Sequence, residues 1–382
     1  MTTLPVISRR RMLGGAAVSA AAAFPMINSG AYRLHAASPR TYSKRSVDLV
    51  RQSLVIDMLG VLKITLTPDF YAAPMTPQDR ADFKAAGITG MHHSYGIGGP
   101  SAHADALAFM GQSLGYCSRN PDVFTLVDKA ADLDKAKAQG KVAVILGVQN
   151  SEHFRTPDDV KLFYQIGQRC SQLTYNAQNL LGSGSTERVD GGVTDFGVAI
   201  IEAMNKVGML VDVSHCGPRT TLDAIALSPK PIAITHSNCR ALVDHPRLKS
   251  DEAIKALAAK GGVMGITGVR MFVRDREPTG ISHIADHVDH VAKLVGIEHV
   301  GVGTDADLNG YDDMEPEAYA LLKASYKSSY GFRDKIDTDG FDHPMKMYDL
   351  TEELIRRNYS DKNIAAVLGG NFRRLLAQTW GG

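Results

Sequence analysis

Cysteine is scarce in this chain: Cys117, Cys170, Cys216 and Cys239 are the four among 382 residues. So few exclude a disulfide-built scaffold, and buried free thiols are the expectation, although an oxidising compartment would permit one bridge. Charge of one sign is lacking too. With 42 basic against 41 acidic residues, a formal net charge of +1, the chain offers no field for phosphate backbones or anionic membranes, and nucleic acid is a poor partner for it. Beyond the N-terminus no apolar run approaches the ~20 residues of a membrane span, and Leu375-Leu376-Ala377-Gln378-Thr379-Trp380 carries no lipid-anchor tail. What is present is an ordinary globular composition, 44% hydrophobic and 22% charged, long enough to bury a large core without staples.

The N-terminus departs from that pattern. Ser8-Arg9-Arg10-Arg11-Met12-Leu13 precedes an uncharged, Ala-rich stretch from Gly14 to Gly30, which reads as an export signal rather than as structure. Consecutive arginines before Met-Leu resemble the twin-arginine type, with an ordinary secretory signal as the other reading. The expected organisation is a signal over residues 1–37 and a single domain over 38–382, located in the periplasm or secreted.

Past the signal, eight short apolar runs alternate with amphipathic segments. The runs are Leu54 to Met58, Gly87 to Met91, Val142 to Val148, Ser171 to Thr174, Met209 to Val213, Ile232 to Thr235, Gly262 to Ile266 and His299 to Val302. Helical patterns lie between them, for example Asp195 to Val207, Asp251 to Ala259 and Ile281 to Val295. Near-continuous apolar strands separated by helices indicate a parallel sheet covered on both faces. Eight units over this length predict a (β/α)8 TIM barrel, with a doubly wound sheet as the alternative. The tail from Glu315 to Gly382 adds a helical extension that caps or buttresses the barrel.

In a barrel the chemistry sits at the C-terminal strand ends. His215 follows the fifth run and His236 follows the sixth, and neutral imidazoles from adjacent strand ends converge readily on a borderline metal such as zinc. Asp305, after the eighth run, places a carboxylate on the same rim, able to accept and return a proton from an activated water. A single strand-end histidine is more often structural; two on neighbouring strands with an aspartate reverse that balance. His283, His287 and His290 fall at helical spacing and belong on one barrel helix, whereas His92 and His93 end the second run.

At these residues the chain resembles the membrane dipeptidase (renal dipeptidase) family, from about Ser46 to Ala377. The resemblance rests on Gln172-Leu173-Thr174-Tyr175-Asn176, Asp212-Val213-Ser214-His215, His236-Ser237, the stretch His299 to Asp305, and Leu368-Gly369-Gly370-Asn371-Phe372. It implies a TIM barrel and hydrolysis of dipeptides at a two-zinc centre. One ion is held there by a first-strand His-x-Asp pair and a bridging Glu, the other by that Glu and by the residues matching His215 and His236. The family's catalytic aspartate corresponds to Asp305, and its arginine for the substrate carboxylate corresponds to Arg247, a task suited to a guanidinium fork. Three positions depart from the pattern: Leu59 and Val61 replace the His-x-Asp pair and Gln149 replaces the bridging Glu. All three changes remove ligands of the same ion, so the resemblance implies half of the two-metal site. Tyr175 stands where the family has a substrate-side histidine.

The reading that follows is a metallohydrolase of a dipeptide or related small amide. One zinc would be bound by His215 and His236, with Gln149 or Asp305 as a further ligand. Asp305 would carry the proton, Arg247 would grip a substrate carboxylate, and Tyr175 and Asn176 would line the pocket. Were a second ion held, Asp57 and His93 would be the first replacement ligands to examine. The partner is a small peptide-like molecule, and a homodimer is left open. The rival readings are a non-catalytic binder of a small ligand and a hydrolase of a non-peptide substrate.

Overall fold

The computed structural model describes residues 31–32, 40–64 and 67–380. The expected signal lies outside the described residues apart from Ala31–Tyr32, which pairs antiparallel with Tyr42–Ser43.

Eight parallel strands close into a barrel: β1 (Ile56–Asp57), β2 (Gly90–Tyr95), β3 (Val142–Val148), β4 (Gln168–Gln172), β5 (Leu210–Asp212), β6 (Ala233–Ser237), β7 (Val263–Ile266) and β8 (Val300–Val302). Each pairs in parallel with the next, and Val302 of β8 pairs with Asp57 of β1 to complete the ring. A short strand, Phe124–Leu126, lies beside the start of β3. This is a (β/α)8 TIM barrel with its helices outside, and all eight apolar runs are strands in it.

Two boundaries differ from the sequence expectation for polar reasons. β2 runs on to Tyr95, so His92 and His93 lie inside the strand rather than at its end. β4 begins at Gln168 because that polar side chain is satisfied in the core, its Oε1 accepting from His153 Nε2 at 3.1 Å while its Nε2 donates to Cys170 O. Helices 195–207, 251–259 and 281–295 match their periodic patterns. Thr194 caps the first of these by accepting from Gly197 N, and Gly208, at φ 87°, ends it where a side chain would be strained.

The lower mouth is plugged by two helices, Ala131–Gln139 and Asn371–Trp380. Their Leu133, Phe372, Leu375 and Leu376 join Ile56, Leu210, Ala233 and Val263 from the first turns of the strands in one apolar cluster. Asn371 Nδ2 donates to Ile297 O and Val300 O, and Trp380 Nε1 donates to Arg169 O, so the last helix is tied to the barrel at both ends. The tail therefore both plugs and covers. Its earlier part places Tyr326, Tyr330 and Phe332 with Val269, Phe272 and Ile336 in a separate apolar cluster over the upper mouth. All four cysteines are buried free thiols, and among the described residues no helix is long and apolar enough to cross a membrane.

Candidate active site

The end of β5 positions the first histidine. Asp212 is buried and accepts four bonds, from Ser214 N, Ser214 Oγ, Thr235 N and Thr235 Oγ1, which fasten the turn after β5 to β6. His215 and His236 emerge from that knot, both fully buried, with their Nε2 atoms 3.0 Å apart.

The hydrogen bonds decide their tautomers. His215 Nδ1 lies 2.8 Å from Asn176 Oδ1, an acceptor, so Nδ1 carries the proton. Thr235 Oγ1 donates to Asp212 Oδ2 and is left to accept from His236 Nδ1 at 2.8 Å. Both Nε2 atoms therefore present lone pairs to each other, an arrangement that is repulsive unless a cation lies between them. Two zinc-bound nitrogens at ~2.0–2.1 Å in tetrahedral geometry are about 3.3 Å apart, close to the spacing here. Burial, then the nearby Arg247, pushes both imidazoles well below their usual basicity, so they are neutral donors. The pair fits a metal as two of its ligands. Among the described residues no group of three or more His, Cys, Asp or Glu side chains is arranged to hold one.

The position of the family's other ion does not fit a metal. Leu59 and Val61 are buried apolar side chains on the first strand's end. Gln149 donates through Nε2 to Ser94 O at 3.0 Å, which leaves its buried Oε1 as an open, uncharged acceptor. Neither replacement candidate is free. Asp57 accepts from Leu59 N, Thr304 N and Thr304 Oγ1, binding β1 to the end of β8. His93 accepts from Leu62 N at Nδ1 and meets Tyr71 OH at Nε2, 3.0 Å away.

Asp305 sits on the same rim in the left-handed region, φ 61°, with its N–H donated to Leu59 O at 2.7 Å. Aspartate tolerates that backbone better than most residues, and a strained non-glycine position is one mark of a functional site. Desolvation raises its carboxyl to about 7, with Asp57 and Asp212 adding to the rise and Arg247 opposing it. A group that titrates there can both take and return a proton near neutrality.

The structure places the remaining expected residues around this core. Tyr175 stacks on His215, ring centroids 4.2 Å apart at 19°. Asn176 borders the outer cleft, but its carboxamide is engaged in orienting His215. Arg247 is fully buried, with its guanidinium donating to Ser214 O and His236 O, the backbone on either side of the histidine pair. Its visible role is to brace the two histidine-bearing strand ends, and its buried Nε has no partner among the described residues.

Sequence reasoning missed Lys249 and Tyr326. Lys249 donates to Val213 O, Cys216 O and Thr221 Oγ1, and burial lowers its ammonium to about 7. Only its short spacing from Arg247 could have suggested that one segment sends two cations under the same turn. Tyr326 meets Tyr175 hydroxyl to hydroxyl at 2.8 Å from 151 residues away, a contact no local pattern carries.

The chain matches the membrane dipeptidase family (peptidase family M19) over residues 70–317. It belongs to that family. Dipeptidase verJ of Clonostachys rogersoniana is 30% identical over 261 residues, 68% of this chain and 61% of that protein. An uncharacterized dipeptidase of Schizosaccharomyces pombe is 33% identical over 199 residues, 50% of this chain and 48% of that protein. The chain thus spans about three fifths and about half the length of these curated relatives. An amidohydrolase from Pseudomonas aeruginosa shares the fold with a TM-score of 0.77 and 30% identity, covering 88% of this chain and 99% of that one. A Rhodobacter sphaeroides metallo peptidase, liganded with a phosphinate mimic of the dipeptide L-Ala-D-Ala, shares the fold at a TM-score of 0.65 and 18% identity, over 86% of this chain and all of that one.

Proposed function

We propose that this member of the membrane dipeptidase family is an exported hydrolase that cleaves a dipeptide or related small amide with one zinc ion. The observation that carries the reading is the pair of facing Nε2 lone pairs on His215 and His236, 3.0 Å apart, beside an aspartate whose carboxyl is raised to about 7. The open Oε1 of Gln149 is the further oxygen donor proposed for the ion. When bound, zinc would supply Lewis-acid polarisation of the amide carbonyl and acidify a water. The protein's own part is derived from its residues. Asn176 and Thr235 hold the imidazoles in the tautomer that donates through Nε2, and Arg247 and Lys249 keep the strand ends beneath them fixed. Asp305 takes the proton of the attacking water and delivers it to the departing amine. A ligand of the same class, the dipeptide mimic, is held by the Rhodobacter enzyme.

One ion rather than two follows from charge. Two dications bring four positive charges into the mouth, and Leu59, Val61 and Gln149 remove the ligands and negatives that would offset the second. The test is elemental analysis of the purified chain after dialysis against zinc, with a dipeptide hydrolysis screen run in parallel. About one tightly bound ion, lost in His215→Ala, and zinc-dependent release of amino acids are the expected results. Two tight ions would overturn the half-site reading, and binding of dipeptides without hydrolysis would favour a ligand-binding role instead.

A further inference from the structure

Two cavities open on the upper mouth, and they share a wall. The outer one is a cleft of about 560 Å³ bordered by Gly96, Asn150, Glu152 and Lys327. The inner one, which holds Asp305 together with Phe272, Tyr311 and Leu322, has room for only about 30 Å³. Tyr175, Tyr326 and Tyr330 line both. They form the partition between them, and the hydroxyls of Tyr175 and Tyr326 meet across it at 2.8 Å.

The volumes decide what the closed arrangement can do. On the same measure one water needs ~10–15 Å³, so the chamber of Asp305 has room for about two waters and for nothing as large as the smallest dipeptide. His215 and His236 are fully buried and border neither cavity, and Tyr175 stacks on the His215 ring. Any substrate that reaches these groups has to displace part of the partition first.

The two sides of the partition are not equally free to move. Tyr175 is gripped on one side by the His215 ring at 4.2 Å and on the other by Gly96, where a Cβ would lie 2.8 Å from Tyr175 Cε2. Tyr326 follows the helix Pro316–Ala324 on the covering segment and packs mainly on the segment's own aromatics, Tyr330 at 4.6 Å and Phe332 at 5.2 Å. Beyond it, the exposed Lys327 reaches Thr186 O at 3.2 Å and the part-buried Glu187 at 3.7 Å. Such ion pairs hold weakly, and the firm tie of this stretch comes only at Tyr330, whose carbonyl meets the buried His245 Nε2 at 2.8 Å, so the stretch carrying Tyr326 can swing while Tyr175 stays.

We propose that Tyr175 and Tyr326 form a gate between the outer cleft and the chamber of Asp305, with Tyr175 as the fixed post, Tyr326 as the moving leaf and their hydroxyl–hydroxyl bond as the latch. The substrate class admitted rests on the hydrolase reading above; the gate itself does not. Tyr175 and Tyr326 act here as positioning residues that control access and orient the ring stacked on His215.

The gate is tested without substrate, in the full chain, by thiol labelling. Val269→Cys places a thiol on the chamber wall, with Ile336→Cys as the second placement should the first fail to fold, and the four native cysteines are buried and supply the background rate. Labelling by iodoacetamide should be slow in the parent, roughly 5-fold faster with Tyr326→Phe, which removes one neutral hydrogen bond, and on the order of 10-fold or more faster with Tyr326→Ala. Equal rates in the three backgrounds, or rapid labelling in the parent, would overturn the gate. A gate that opens as described in a chain that hydrolyses no amide would leave it standing and defeat the proposed function alone, whereas flat labelling in an active peptidase would do the reverse.

Discussion

At the scale of single residues, the legible part of the site was the part fixed by strand ends. His215, His236 and Asp305 each lie within three residues of the end of an apolar run, so the barrel rule alone brings them to one rim. Arg247 shows where residue reasoning stops. Its position matched a carboxylate clamp, yet the guanidinium is buried against Ser214 O and His236 O, partners that only the tertiary structure supplies. Arg247→Ala should therefore leave two buried carbonyls unpaired and destabilise the fold by about 2–5 kcal/mol, measured by urea unfolding. A raised KM with unchanged stability would return it to the clamp role. Asp305→Asn makes the complementary case. The amide cannot shuttle a proton, so turnover on any cleaved amide should fall at least ~10²-fold, whereas zinc content measured on the same sample should stay constant. Retained turnover would remove Asp305 from the chemistry.

At the scale of elements, periodicity located the strands well because most are buried on both faces, and it failed where polar groups were satisfied inside. The start of β4 was hidden by Gln168 and Arg169, whose polar atoms find partners in His153, Cys170, Asp128 and Tyr164. The covering role of the tail was expected, but its contact with the site was illegible, since Tyr326, which packs on its neighbours Tyr330 and Phe332, reaches Tyr175 from 151 residues away. Glycines on β7 and at the end of β8 add a constraint that composition cannot show. A Cβ at Gly265 or Gly303 would lie 2.0 Å from Thr235 O, the backbone just before His236. No rotamer change relieves a clash with backbone, so β6 itself would have to shift. Gly303→Ala should cost about 1–3 kcal/mol by thermal or chemical melts and weaken zinc binding along with it. Normal zinc affinity in a destabilised Gly303→Ala protein would show that His236 is positioned independently of that contact.

For the whole molecule, the buried histidines set the response to acid. His93, His153 and His287 are fully buried, and burial pushes them down to about 3, about 4 and about 4. Burial is the main cause in each: His287 accepts from Cys239 N and donates to Val273 O, whereas His153 faces two acceptors, Asn150 O and Gln168 Oε1, and is lowered in spite of them. A base with a depressed folded value contributes stability that is complete above its unfolded value, ~6.5, and is lost as the pH falls toward the folded value. Between about pH 6.5 and pH 4 the unfolded chain binds at these histidines alone up to three protons that the folded chain refuses, a slope approaching ~4 kcal/mol per pH unit against a typical total stability of ~5–15 kcal/mol. Asp305 works in the opposite sense. Its carboxyl, raised to about 7, favours the folded state when protonated, a contribution complete below ~4 and lost as the pH rises through 7. The melting temperature should therefore drop steeply below about 6.5, because the histidines held down by burial, His92, His215, His236 and His245 besides His93, His153 and His287, outnumber the raised carboxyls Asp57, Asp305 and Asp337. Above pH 7 it should still rise gently, because the ammonium of Lys249, lowered to about 7, loses there the proton that the unfolded chain keeps. Two substitutions separate the contributions by sign. His287→Gln keeps one acceptor and one donor without a titrating ring and should flatten the acid limb, whereas Asp305→Asn removes the opposing carboxyl and should steepen it. Melting curves collected from pH 4 to 8 for the three proteins decide this, and parallel acid limbs would mean that the interior histidines are not what limits the fold in acid.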